Sequence, residues 1–135
     1  MAIYGIGAYQ DRDVSADFIQ AGGVFVGWDA NDAPDLHQFL RQLRTGDIVF
    51  IKSAPRGRNW MEIIAVGVIL DGDVLPPGQY PIGRRVRWIC TQRRRVPIPQ
   101  GKNNVRFNTL YEEFHPEIQR IVMEMLTGAN SRSGT

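Results

Sequence analysis

Asp47-Ile48-Val49-Phe50-Ile51-Lys52-Ser53 and Met61-Glu62-Ile63-Ile64-Ala65-Val66-Gly67-Val68-Ile69-Leu70 decide the fold. Both runs are rich in β-branched residues and almost continuously apolar, so they read as strands buried on both faces within a covered or closed sheet. The segment joining them, Ala54-Pro55-Arg56-Gly57-Arg58-Asn59-Trp60, is turn-rich and carries a tryptophan. Upstream, Leu36, Phe39, Leu40 and Leu43 follow i, i+3, i+4, i+7 spacing and predict a helix. Asp32 is its expected cap, Pro34 and Asp35 suit its first turn, and Gly46 its end. His37 lies beside the apolar stripe and reads as a surface residue.

The flanks supply the remaining elements. Ala2 to Gly7 reads as a glycine-broken strand, Asp13 to Ala21 as a short helix stopped by Gly22-Gly23, and Val24-Phe25-Val26 as a strand ending at Gly27-Trp28. Asp71-Gly72-Asp73 predicts a turn, and three prolines make Leu75 to Pro81 an irregular connection. Arg84 to Gln92 alternates as a strand, which points Val86, Trp88 and Cys90 to the core. Val105-Arg106-Phe107 predicts a last short strand, and Thr109 with Glu112 a capped helical turn. A final helix opens at His115-Pro116, buries Ile118, Ile121, Val122 and Met125, and closes at Gly128. Residues 129 to 135 are small and polar and read as a disordered tail.

Composition bounds the function. At 135 residues and 43% hydrophobic content, one domain folds without staples. Sixteen basic against fourteen acidic residues leave a net charge of +2, which is weak evidence for nucleic acid. Placement says more: Arg84, Arg85, Arg87, Arg93, Arg94 and Arg95 crowd one stretch, while Lys52, Arg56 and Arg58 bracket Trp60. This segregation reads either as a basic stripe or as a solvated strand edge. The single Cys90 excludes an intramolecular disulfide. No charged leader with an apolar core opens the sequence, and no apolar run approaches a membrane span, so a cytoplasmic protein without a membrane partner is expected.

Catalytic sets are hard to assemble from two histidines, one cysteine and no nucleophile elbow, and glycines 5 and 7 lack the rest of a dinucleotide fingerprint. No cofactor and no metal are expected. Trp28 and Trp60 instead sit in breaks between apolar runs, with asparagine and arginine close by. Aromatic surface at loop positions suits stacking on a flat ring. Tyr4, Tyr9 and Phe25 are further wall candidates whose strand-adjacent positions favour the core.

Gly23-Val24-Phe25-Val26-Gly27-Trp28-Asp29, a short amphipathic helix, Thr45-Gly46-Asp47-Ile48-Val49-Phe50-Ile51-Lys52 and Ala65-Val66-Gly67-Val68-Ile69 resemble the segment order of PUA-like domains. The likeness is greatest to the EVE branch and to base-reading modules of modification-dependent restriction systems, with YTH domains as distant cousins, and it covers residues 1 to 127. It implies an α+β fold: a bent, mixed β-barrel of about five to six strands flanked by two to four helices. It also implies a pocket for one flipped or unpaired base, in a setting such as bacterial or phage defence.

On this reading Trp28 and Trp60 form an aromatic cage, and Asp29, Asn31 and Ser53 read the base edge. Lys52, Arg56, Arg58, Arg93 and Arg94 hold phosphates of DNA or RNA. Asp29 equally shapes its own turn, and Ser53 equally ends a strand. Two alternatives keep the fold: a sensor of a small planar, nucleotide-like ligand, and a small ribonuclease of the ASCH kind.

Overall fold

The computed structural model describes residues 1–10 and 12–128, so the expected tail at 129–135 lies outside the described residues. The elements are β1 (Ile3–Gly7), β2 (Tyr9–Gln10), β3 (Arg12–Asp13), α1 (Ser15–Ala21), β4 (Gly23–Val26), α2 (Pro34–Gln42) and β5 (Ile48–Ser53). They continue with β6 (Trp60–Leu75), β7 (Ile82–Cys90), β8 (Arg94–Pro97), α3 (Asn104–Phe107), β9 (Leu110–Glu112) and α4 (Pro116–Thr127). The fold is α+β.

The main sheet has the order β4-β7-β6-β5-β1-β9, with β8 also paired to β6. It is mixed, because β1 runs parallel to β5 while the other pairings are antiparallel. Among the described residues the ladder ends at β4 on one side and β9 on the other, so the sheet is open where a closed barrel was expected.

Alternation along β5 explains why the sequence reads as apolar on both sides. Ile48 and Phe50 join Ile118, Ile121, Val122 and Met125 of α4 in one core, whereas Val49 and Ile51 join Phe18 of α1 and Leu40 of α2 in another. Each such buried side chain contributes about 1.5–3 kcal/mol over leaving it exposed. β6 serves both cores as well, with Met61, Ile63 and Val66 in the first and Ile64, Ala65 and Ile69 in the second.

β7 and β8 follow one another along the same side of β6, from Leu75↔Gly83 to Trp60↔Pro97. Two irregularities interrupt them. Between Ile69 and Val74 the register jumps, so the expected Asp71-Gly72-Asp73 turn is a bulge inside one long strand. At Gly67 a Cβ would lie 2.5 Å from the Arg87 carbonyl oxygen, which is why the tight crossing carries glycine.

Arg84 locks this bulge to α2. Its side chain is fully buried, and Nη1 donates to the carbonyls of Leu40, Arg41 and Leu43 at 2.9, 3.3 and 2.7 Å while Nη2 donates to Asp71 at 2.9 Å. The guanidinium thus satisfies the carbonyls left over at the end of a helix. A residue read as part of a surface arginine run is a structural pin.

Several local expectations change. α2 ends at Gln42, short of Gly46, and Ala33 rather than Asp32 stands at its N-cap with no side-chain bond. His37 is buried, its Nε2 2.6 Å from the Trp28 carbonyl, because the β4–α2 loop folds back over it. Asn104–Phe107 is helical instead of extended. Leu110–Glu112 is a strand instead of a capped turn, since β1 offers an open edge and Tyr111 a ring for the core beneath Gly5. Trp88 packs on the core and its Nε1 donates to the Phe18 carbonyl at 3.1 Å, whereas Cys90 is only half-buried. The last helix matches its pattern: His115 accepts from the Glu117 amide, Pro116 opens the first turn, and Gly128 closes it at φ 72°.

Candidate functional site

A cleft of about 670 Å³ opens where β1 and β5 end and the chain leaves for β2 and for the loop before β6. Gly7, Ala8 and Tyr9 form one side, Lys52 to Arg56 another, Asp13 stands at the rim, and Ile64 and Val105 form apolar wall. The volume suits a small organic ligand. Three expected site residues, Lys52, Ser53 and Arg56, meet here.

Tyr9 is 75% exposed at this cleft, contrary to the expectation that it joins the core. Tyr4 and Phe25 do pack inward: Tyr4 lies edge-on to Phe39, and Phe25 stacks on Tyr80 at 4.9 Å. Of these three, Tyr9 is therefore the ring free to stack. Its signal in the sequence was its place immediately after the strand-ending Gly7-Ala8.

Lys52 is buried, 8% exposed, and its ammonium donates to the carbonyls of Val105 at 2.8 Å and Asn108 at 2.7 Å. The Tyr111 ring lies 5.6 Å from Nζ. These contacts tie α3 to β5, so Lys52 is not the surface phosphate anchor that its position beside the loop suggested. Desolvation lowers its pKa to about 8, because no carboxylate among the described residues pairs with the ammonium. A buried lysine of this kind inside a cleft marks a functional candidate.

The rim carries its own electrostatic set. Burial pushes the Asp13 carboxyl up, but hydrogen bonds from the Ser15 amide and hydroxyl, with the Arg93 guanidinium nearby, outweigh it and hold the group below the usual carboxylate range. Arg93 lies 3.7 Å from Asp13 and 2.8 Å from Glu62. It braces the rim through these two ion pairs while its side chain stays half exposed. Arg56 is exposed at the cleft mouth, and Arg58 is exposed in the same loop.

Other expected site residues lie elsewhere. Trp28 is 58% exposed beyond β4, whose last residue Val26 pairs with Ile82 at the start of β7. Trp60 pairs with Pro97 at the far end of the β7–β8 line, so Trp28 follows the strand paired to one end of that line and Trp60 stands at the other. Trp60 is half-buried with the Arg95 guanidinium 4.1 Å over its ring, which occupies a stacking face. Asp29 and Asn31 are exposed beside Trp28, and the Asp29 carbonyl accepts from the amides of Asp32 and Ala33 in a turn. Arg94 is half-buried along a groove beside α4. Among the described residues no group of three or more His, Cys, Asp or Glu is placed to hold a metal ion, and no helix is long and apolar enough to cross a membrane.

No family model and no curated protein matches the sequence. Among solved structures, the chain is similar to the NMR structure of Rpa0253 from Rhodopseudomonas palustris, a structural-genomics target. The match has 14% identity and a TM-score of 0.49, and covers 93% of this chain and 92% of that one.

Proposed function

We propose that this chain is a non-catalytic, PUA-like nucleic-acid-binding module that takes up one modified, flipped or unpaired base in the cleft between Tyr9 and Ser53. The observation that carries this reading is the cleft itself: an exposed aromatic ring at its mouth, apolar wall from Ile64 and Val105, and polar groups at Lys52, Ser53 and Asp13. Stacking on one ring contributes about 1–3 kcal/mol per base, which offsets much of the few kcal/mol needed to extrude it. Ser53 reads the base edge, and Arg56 meets the neighbouring phosphate.

The test is binding of short single-stranded oligonucleotides carrying modified and unmodified bases. Tyr9→Ala should weaken the tightest complex about tenfold or more, while Trp28→Ala leaves it unchanged. Equal affinity of the parent protein and Tyr9→Ala, with both folded, would remove the cleft as the base site.

A second reading, uptake of a free nucleotide-like ligand, draws on the engagement of Arg85, Arg93 and Arg95 with Asp71, Glu62 and Trp60, which leaves a thin basic surface. A mononucleotide would then bind as well as an oligonucleotide, with little response to salt.

A further inference from the structure

Lys52 does more in this cleft than tie α3 down. An ammonium has three donors and no acceptor, and two are spent on Val105 and Asn108, both near α3. Among the described residues no acceptor takes the third. On the cleft side its neighbour is Gly7, where an added Cβ would stand 3.4 Å from Nζ and 3.7 Å from Cε. The missing side chain leaves the ammonium open to the cleft that both residues line.

We infer that the third N–H of Lys52 reads the ligand past the bare Cα of Gly7, and that the site therefore takes a pyrimidine with a carbonyl oxygen at C4, of the uracil or thymine kind, over one with an amine there. The inference rests on the base-binding reading and goes beyond it by naming the base class. A keto oxygen completes the ammonium's set of acceptors inside a desolvated wall. An exocyclic amine at the same point sets donor against donor and leaves the buried N–H unpaired, and it is this unpaired group that discriminates between otherwise similar rings.

Protonation of Lys52 sets the pH response. Among the described residues, the charged and titratable groups near it are Tyr111 of β9, Lys102 at 5.1 Å from the same ring with its partner Glu113 at 2.6 Å, Asp13 of β3, Tyr9 of β2 and Arg56 of the following loop. Burial lowers Lys52 to about 8, so preference for the keto ring is full below that pH and fades as pH rises through it.

The experiment compares uridine 5′-monophosphate with cytidine 5′-monophosphate, which share the C2 carbonyl and the phosphate and differ at C4, keto against amino, with the accompanying change at N3. The parent protein should favour the uridine nucleotide about tenfold or more, and the Lys52 ammonium resonance should move on its addition. Gly7→Ala adds one methyl at ordinary van der Waals distance. It keeps both carbonyl bonds of Lys52 and should bring the two affinities within about threefold, with an unchanged unfolding midpoint.

Equal binding of both nucleotides by the parent protein, or a preference that survives Gly7→Ala, overturns this inference and leaves the base site standing. Binding of neither nucleotide, nor of any oligonucleotide, overturns the base-binding reading and this inference with it. If Gly7→Ala perturbs folding, the Lys52 resonance of the parent protein decides alone, and its failure to move on saturation with the uridine nucleotide overturns the inference.

Discussion

Arg84 and Tyr9 show how far one side chain's role departs from its residue type. Arg84 donates to four carbonyls from full burial, so Arg84→Met should leave those acceptors dry and lower stability by about 3–5 kcal/mol. In urea unfolding the midpoint falls while the slope is kept. Tyr9 is exposed, so Tyr9→Ala should change stability by no more than about 0.5 kcal/mol while costing about 1–3 kcal/mol of base binding by titration calorimetry. Local sequence hints at the role of Tyr9 through its place after Gly7-Ala8 and gives no sign of that of Arg84. A run of arginines alternating on a strand is the same string whether one guanidinium points to solvent or into the end of a helix, and only the bulge at Leu70 to Asp73 sets which.

At the scale of elements, periodicity was legible wherever burial was regular. α4, with its His115-Pro116 start and Gly128 stop, and β5 and β6, apolar on both faces, follow from their residues because each buries a repeating pattern. Short segments misled where a neighbour chose for them. Thr109 to Glu112 carries a capping-box pattern, yet Leu110–Glu112 pairs with β1, whose edge gives its amides better partners than one helical turn would. The Trp28–Trp60 cage turned on the same kind of information: loop position is visible in sequence, but the order β4-β7-β6 and the β6–β8 pairing that place Trp28 and Trp60 along the sheet are not. Lys52, Ser53 and Arg56 did meet in one cleft because they lie within one strand end and its loop. The crossing at Gly67 gives an element-scale test. Gly67→Ala drives a Cβ into the Arg87 carbonyl and should destabilise the β6–β7 pair by about 1–3 kcal/mol, read as a lower thermal midpoint.

For the whole molecule, charge is the property that separates the two ligand readings. A net charge of +2, with many arginines already paired or stacked, leaves few cations for a phosphate backbone. Oligonucleotide affinity should therefore fall with salt at a shallow log–log slope of about −1 to −2, because single strands lose about 0.7 per phosphate engaged. Fluorescence anisotropy between low and moderate salt checks it. A slope near zero moves the reading to a free nucleotide-like ligand.

β5 and β6 contribute side chains to both hydrophobic cores. Neither half can then melt by itself, since loosening one strips a wall from the other. Amides of Phe50 to Ile51 and Ile64 to Val66 should exchange with heavy water only through global opening, at one common rate set by the full unfolding free energy. The cleft hangs from the ends of those same strands, so its floor keeps its shape until the entire chain lets go.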